Sequence, residues 1–162
     1  KEYCTIEEED TLGTLHDKLK KIGAKGLEKA IDLIESGKVI AEKQDESLVT
    51  FVKPISKEQE IIDWSDTKEN IYNKIRGLNP FPGALSYYDD QIIKVYLSEK
   101  IDKEYDGEYG EIVEILNKKG PVVKVKNGGI ILKEVKFQGK KSQSGIDIIN
   151  GRKIILNRKF GK

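Results

Sequence analysis

At 162 residues the chain has room for one domain, or for one small domain with an appendage. Its residues are 37% hydrophobic and 35% charged, with a mean hydropathy of −0.54, so a polar surface around a modest core is expected. No apolar run reaches the length of a membrane span and no signal peptide opens the chain. The single cysteine, Cys4, excludes an internal disulfide framework, and with the lone His16 it leaves a zinc site short of ligands. These features predict a cytoplasmic protein with no metal and no membrane partner.

The net charge of +1 hides an asymmetry. Residues 1–120 carry 18 basic and 26 acidic side chains, a balance of −8, whereas residues 121–162 carry 11 basic and 2 acidic ones, a balance of +9. A basic end of this kind reads either as a polyanion-binding surface or as a lysine-rich solvated face. The sequence holds no methionine, which predicts a piece of a longer chain.

In chain order, residues 1–9 read as a loop or a last strand. Asp10 or Thr11 can cap a helix whose apolar face is Leu12, Leu15, Leu19 and Ile22, with Gly23 as its end. A second helix is predicted over 24–36, with Leu27, Ala30, Ile31 and Ile34 inward and Gly37 as its stop. Two such helices cannot enclose a core, so their apolar stripes call for a further layer. Residues 38–63 are less regular. Val49, Phe51 and Val52 predict a short extended segment before Pro54, and residues 53–57 a surface linker. Trp64 reads as a packing anchor.

Ser65 or Asp66 is expected to cap a third helix, with Ile71, Ile75 and Leu78 on one face. That helix must stop near Leu78, because the prolines at 80 and 82 drive Asn79 and Phe81 out of helical conformation. Gly83 then permits a close turn. Beyond this corner the period becomes strand-like. Residues 85–88 and 91–97 flank Asp89-Asp90 as a predicted hairpin. Residues 110–116 form a third strand, and 121–126 and 130–137 a fourth and fifth joined at Asn127-Gly128. On that hairpin Val123, Val125, Ile131 and Val135 are expected on one side, alternating with Lys124, Lys126 and Lys136. Ser142 or Ser144 starts a short helix carrying Ile146 and Ile149 and ending at Gly151, and an extended piece over 154–160 closes the chain. The strand pattern predicts a small barrel of the oligonucleotide-binding kind.

Little in the chain can make or break bonds. His16 reads as a solvent-facing helical residue beside Asp17, and the adjacent Asp89-Asp90 as a solvated turn rather than an acid–base pair. The basic pairs Lys140-Lys141, Arg152-Lys153 and Arg158-Lys159, with Lys124, Lys126, Lys133 and Lys136 on the preceding hairpin, fit phosphate binding, which needs long cationic side chains on one face and no base-specific group. Tyr87, Tyr88 and Tyr96 are either core or rim residues or platforms for bases.

The ordered set Asp10-Thr11, Leu15, residues 17–19, 44–46, 55–57, 62–65, 75–76, 78–84, 139–141 and 150–152 resembles the methionyl-tRNA formyltransferase family, over about residues 4–160. Phe81 stands where that family often has tryptophan. The resemblance implies an α+β chain: an N-terminal helical remnant of a Rossmann-like formyltransferase domain (1–37), a linker (38–63) and a small OB-like β-barrel C-terminal domain (64–162). It implies a parent enzyme that moves a formyl group from 10-formyltetrahydrofolate to the amino group of methionyl initiator tRNA. The catalytic asparagine, histidine and aspartate of the family have no counterpart here, so this chain alone is expected to be inactive and to bind no cofactor. It is expected to hold tRNA as a monomer. By motif, Lys57, Arg76, Lys140, Lys141 and Arg152 occupy tRNA-contacting positions; charge alone adds Lys53, Lys153, Arg158 and Lys159. Arg76 reads equally well as a structural residue at the helix end. Rival readings are the C-terminal part of a nucleotide-sugar formyltransferase or folate hydrolase, and a free-standing RNA-binding barrel.

Overall fold

Residues 1–161 are described by a computed structural model, and they fall into two compact units, Lys1–Ile55 and a second beginning at Ser56. In the first unit, Thr11 caps helix α1 (Leu12–Glu35) through a reciprocal box. The Thr14 amide donates to Thr11 Oγ1 at 3.2 Å, and the Thr11 amide donates to Thr14 Oγ1 at 2.9 Å. The Asp10 carboxylate accepts Lys18 Nζ at 2.5 Å, the Glu7 amide at 2.8 Å and the Thr14 hydroxyl at 2.9 Å. The Lys18 hydrogen bond, followed by that from the Glu7 amide, holds its pKa down at about 2.

The two helices expected over 11–36 are one. Gly23 and Gly26 lie inside α1, because an interior glycine weakens a helix by about 1 kcal/mol relative to alanine without obliging it to end. Termination needs a left-handed residue that recaptures the last carbonyls. Gly37 supplies it with φ 66°, its amide donating to Ile34 O at 3.1 Å while that of Lys38 reaches Leu33 O at 3.0 Å. Of residues 1–55 only Asp10 is buried, and the α1 face bearing Leu19, Leu27 and Ile34 is exposed. A 3₁₀ turn occupies Glu46–Leu48, and the extended segment expected at 49–52 pairs with no strand.

The second unit opens with a one-turn helix α2 (Lys57–Glu60), capped by Ser56 with Gln59, inside the stretch read as a linker. Trp64 is buried and its Nε1–H donates to Ser86 Oγ at 2.9 Å, as a packing anchor should. Helix α3 (Lys68–Gly77) is capped by Thr67, one residue later than Asp66, and it buries Ile71 and Ile75. The corner that follows is pinned by the Gly83 amide, which donates to Leu78 O at 2.8 Å with Gly83 at φ 85°.

The strands are β1 (Ala84–Tyr88), β2 (Gln91–Ile101), β3 (Ile112–Leu116), β4 (Gly120–Val125), β5 (Gly128–Phe137) and β6 (Gln143–Ser144). They form one antiparallel sheet in the order β1-β2-β5-β4-β3, with β6 paired to β5. Asp89 and Asp90, at φ 45° and 59°, turn the first hairpin as predicted. The β4–β5 turn is Lys126-Asn127, because Val125 pairs with Gly128. With the turn one residue earlier than expected, each β4 residue meets a partner two positions earlier on β5, a shift that keeps its face. Val123 pairs with Ile130, and Ile131, opposite Val122, faces away from Val123 and Val125; strand alternation itself corrects the expectation that placed Ile131 with them. Asn127 also ties the start of α3 to this hairpin, since its Oδ1 accepts the Lys68 amide at 2.8 Å and its Nδ2 donates to Glu69 Oε2 at 2.9 Å.

Helix α4 (Gly145–Asn150) is capped by Ser144 with Asp147. It buries Ile148 and leaves Ile146 exposed. Gly145 lies so close to β5 that a Cβ would stand 2.2 Å from Leu132 O, and that contact sets the rotation that turns Ile148, three residues on, inward. The closed barrel is not formed by strand pairing. Instead, residues 157–161 run between the two edge strands: Phe160 bridges to Tyr88 of β1 and Lys159 to Glu111 beside β3. Among the described residues the architecture is a mixed α/β chain with one antiparallel sheet and four α-helices.

Candidate nucleic-acid interface

The C-terminal segment is held by backbone bonds on both sides. The Asn157 amide donates to Ile112 O at 2.9 Å, the Ile112 amide to Arg158 O at 2.8 Å, the Phe160 amide to Gly110 O at 2.8 Å and the Gly161 amide to Tyr87 O at 3.0 Å. Phe160 anchors it from within, 5.4 Å from the Trp64 ring and 5.0 Å from the Tyr88 ring. The inward Phe160 leaves Arg158 and Lys159 exposed. Arg158 then meets Asp89 at 3.5 Å, and Lys159 meets Glu108 at 2.6 Å. The Lys159 hydrogen bond lowers the Glu108 pKa.

Helix α4 presents the next pair. Arg152 occupies the left-handed region at φ 49°, its amide donating to Ile149 O at 2.9 Å while that of Lys153 reaches Ile148 O at 3.0 Å. The helix is thus ended by Arg152 in the conformation that glycine favours, and Gly151, the expected stop, sits one residue early at φ −78°. A side chain in that conformation costs about 1–2 kcal/mol, a penalty that hydrogen-bond capture of the last carbonyls offsets. Lys153 Nζ donates to Gln143 Oε1 at 2.6 Å.

Lys140 and Lys153 line one cleft of about 250 Å³, with Tyr88, Asp89, Gln91 and Phe137. Arg158 pairs with Asp89, a residue of the cleft wall, so the cleft's two lysines and this arginine come from three separate segments. Burial pushes the Tyr88 phenol above its ordinary range, and its oxygen accepts the Ile155 amide at 2.9 Å. Lys141 and Arg152 are exposed neighbours of these residues in sequence. Lys57 stands apart, in a second groove with Phe81, Tyr87, Tyr96, Lys94 and Lys136. Phe137 lines both hollows. Lys159 borders a third hollow with Trp64, Tyr109 and Lys124.

Two of the sequence-derived candidates lie elsewhere. Arg76 Nε donates to Asn73 Oδ1 at 2.8 Å, and its guanidinium lies 5.8 Å from the Tyr72 ring centre, which Lys100 Nζ approaches at 4.9 Å. These contacts favour the structural reading of Arg76. Lys53 is an exposed residue of the first unit. His16 is exposed on α1, 3.7 Å from Asp17. Among the described residues no group of three His, Cys, Asp or Glu side chains could hold a metal, and no helix is long and apolar enough to cross a membrane. Lys94 is a site residue that sequence reasoning missed. Its only signal was alternation on β2, which assigns a face but not a neighbour.

Residues 54–153 match the family model described as "Formyl transferase, C-terminal domain". Among curated relatives, a methionyl-tRNA formyltransferase of Fusobacterium nucleatum is 48% identical over 160 residues, covering 98% of this chain and 52% of the relative. One from Bacillus subtilis is 42% identical over 147 residues, covering 90% of this chain and 46% of the relative. The chain thus spans about half the length of the curated relatives it matches. Among solved structures, a HypX variant from Aquifex aeolicus superposes with a TM-score of 0.70 at 14% identity, covering 90% of this chain and 27% of that one, a likeness of fold. With its ordered motifs, its antiparallel sheet and a family match over most of its length, the chain belongs to the formyl transferase C-terminal domain family.

Proposed function

We propose that this chain is the tRNA-holding part of a methionyl-tRNA formyltransferase. In this reading the whole enzyme transfers a formyl group from 10-formyltetrahydrofolate to methionyl initiator tRNA in the cytoplasm. The chain itself carries no catalytic residue and is inactive alone. Residues 1–37 are the last helices of the catalytic domain, 38–63 the linker and 64–162 an OB-like module that acts as a monomer. The relatives at 38–48% identity support the parent activity. The observation that carries the tRNA role is the sharing of one cleft by Lys140 and Lys153, with Arg158 paired to Asp89 of its wall. Lys141, Arg152 and Lys159 extend the charge, and Lys57, Lys53 and Arg76 are secondary contacts.

Each phosphate neutralised releases counterions, so affinity for tRNA must fall steeply with salt. The test is a titration of initiator tRNA across salt concentrations, with the unaltered chain and with the double variant Lys140→Ala, Lys153→Ala. The double variant is expected to bind more weakly and to lower the log–log salt slope by about 1.5, two phosphate contacts' worth. Binding indifferent to salt, or a double variant with an unchanged slope, would overturn the assignment.

A further inference from the structure

We propose that the groove beside the Pro80–Gly83 corner takes one unpaired base of single-stranded RNA together with its phosphate. The inference rests on the tRNA-holding reading and names the element of RNA that this surface selects. The groove has a volume of about 780 Å³ and is lined by Phe81, Tyr87 and Tyr96, with Lys57 and Lys136 among its cations.

Phe81 is 78% exposed, whereas the core ring of Trp64 is 4% exposed. Its exposure is built into the backbone. Prolines on both sides fix their own φ angles and restrict the residues before them, within a turn over residues 78–82. The Asn79 side-chain amide donates to Tyr96 O at 2.8 Å, and Lys94 Nζ donates to Pro82 O at 2.5 Å, so the corner is fastened to β2 at both ends. Gly83 leaves room for the neighbouring ring, since a Cβ there would stand 2.8 Å from Tyr96 Cε1. The Phe81 ring is therefore presented at the groove by a fastened frame.

Lys94 is committed to Pro82 O and lies 3.6 Å from Glu60. Lys57 acts on the neighbouring Glu58 carboxylate, whereas Lys136 is exposed and makes no ion pair among the described residues, so Lys136 is the cation that remains available to a phosphate. Glu58 and Glu60 border the groove on α2 beside Lys57, which leaves Lys136 of β5 as the entry for an anion. Aromatic rings beside an unpaired lysine suit a nucleotide, because every base has a π-face and stacking needs no sequence readout. A paired base is already stacked within its helix and cannot reach a ring held by a rigid corner, so the groove selects unpaired RNA. Phe137 also lines the Lys140–Lys153 cleft.

The test compares a short single-stranded RNA with a duplex RNA hairpin of similar charge at low salt. Phe81→Ala should weaken single-strand binding roughly 5- to 100-fold and leave duplex binding within about twofold. Phe81→Trp should restore single-strand binding. If the unaltered chain binds single strands and Phe81→Ala leaves that affinity unchanged, or weakens both RNAs equally, the groove assignment is overturned while the tRNA-holding reading stands. If the unaltered chain binds neither RNA, both fall together.

Discussion

Replacing Phe160 by alanine tests how the C-terminal segment secures the sheet. Phe160 is 1% exposed and contacts the Trp64 and Tyr88 rings at 5.4 and 5.0 Å. Truncating a buried phenylalanine costs about 3–5 kcal/mol, and the two tilted ring contacts put this site at the upper end. A unit of about a hundred residues has about 5–15 kcal/mol in total, so the variant should forfeit a third or more of its stability. At about 4–8 °C per kcal/mol, the melting temperature should fall by at least roughly 12 °C. Trp64 is the only tryptophan and sits against Phe160, so its fluorescence in a urea titration reports the loss directly. Since Arg158 and Lys159 ride on the same segment, tRNA affinity should fall with it even where the unit stays folded. A measured cost under about 1 kcal/mol would show that the segment does not hold the two edges through this ring, and would sink the packing account.

Two further outcomes follow from local conformation. Arg152→Gly should raise stability by about 0.5–1 kcal/mol, the left-handed penalty less the extra entropy of glycine in the unfolded chain, while it lowers tRNA affinity; calorimetry and a salt titration read the two effects separately. Asn127→Ala should cost about 1–3 kcal/mol by leaving the Lys68 amide without its acceptor, and should reshape the acid limb of stability. The Asn127 hydrogen bond, followed by the Glu69 amide and Lys68, lowers the Glu69 pKa to about 2, below its unfolded value. Its contribution is therefore present above the ordinary carboxylate range and fades as pH falls toward 2, so acid unfolding followed from about pH 6 to about pH 2 should be shallower in the variant.

Where the physics is local, sequence and structure agree. The Thr11 cap, the Gly37 stop, the proline corner with Gly83 and the Asp89-Asp90 turn each depend on residues a few positions apart, and each is found where the residues place it. The basic end was equally legible, because charge is additive along a chain. Tertiary contact decided the rest. The β4–β5 turn falls at Lys126-Asn127 because Val125 pairs with Gly128, and Ile148 turns inward because Gly145 meets the β5 backbone. The pairing of Arg158 with Asp89, 69 residues apart, and the sharing of one cleft by Lys140, Lys153 and Asp89 depend on segments that the chain brings together only on folding. Composition counts charges, but only the folded chain fixes which of them share a surface, because that depends on distances in space that no sequence interval specifies.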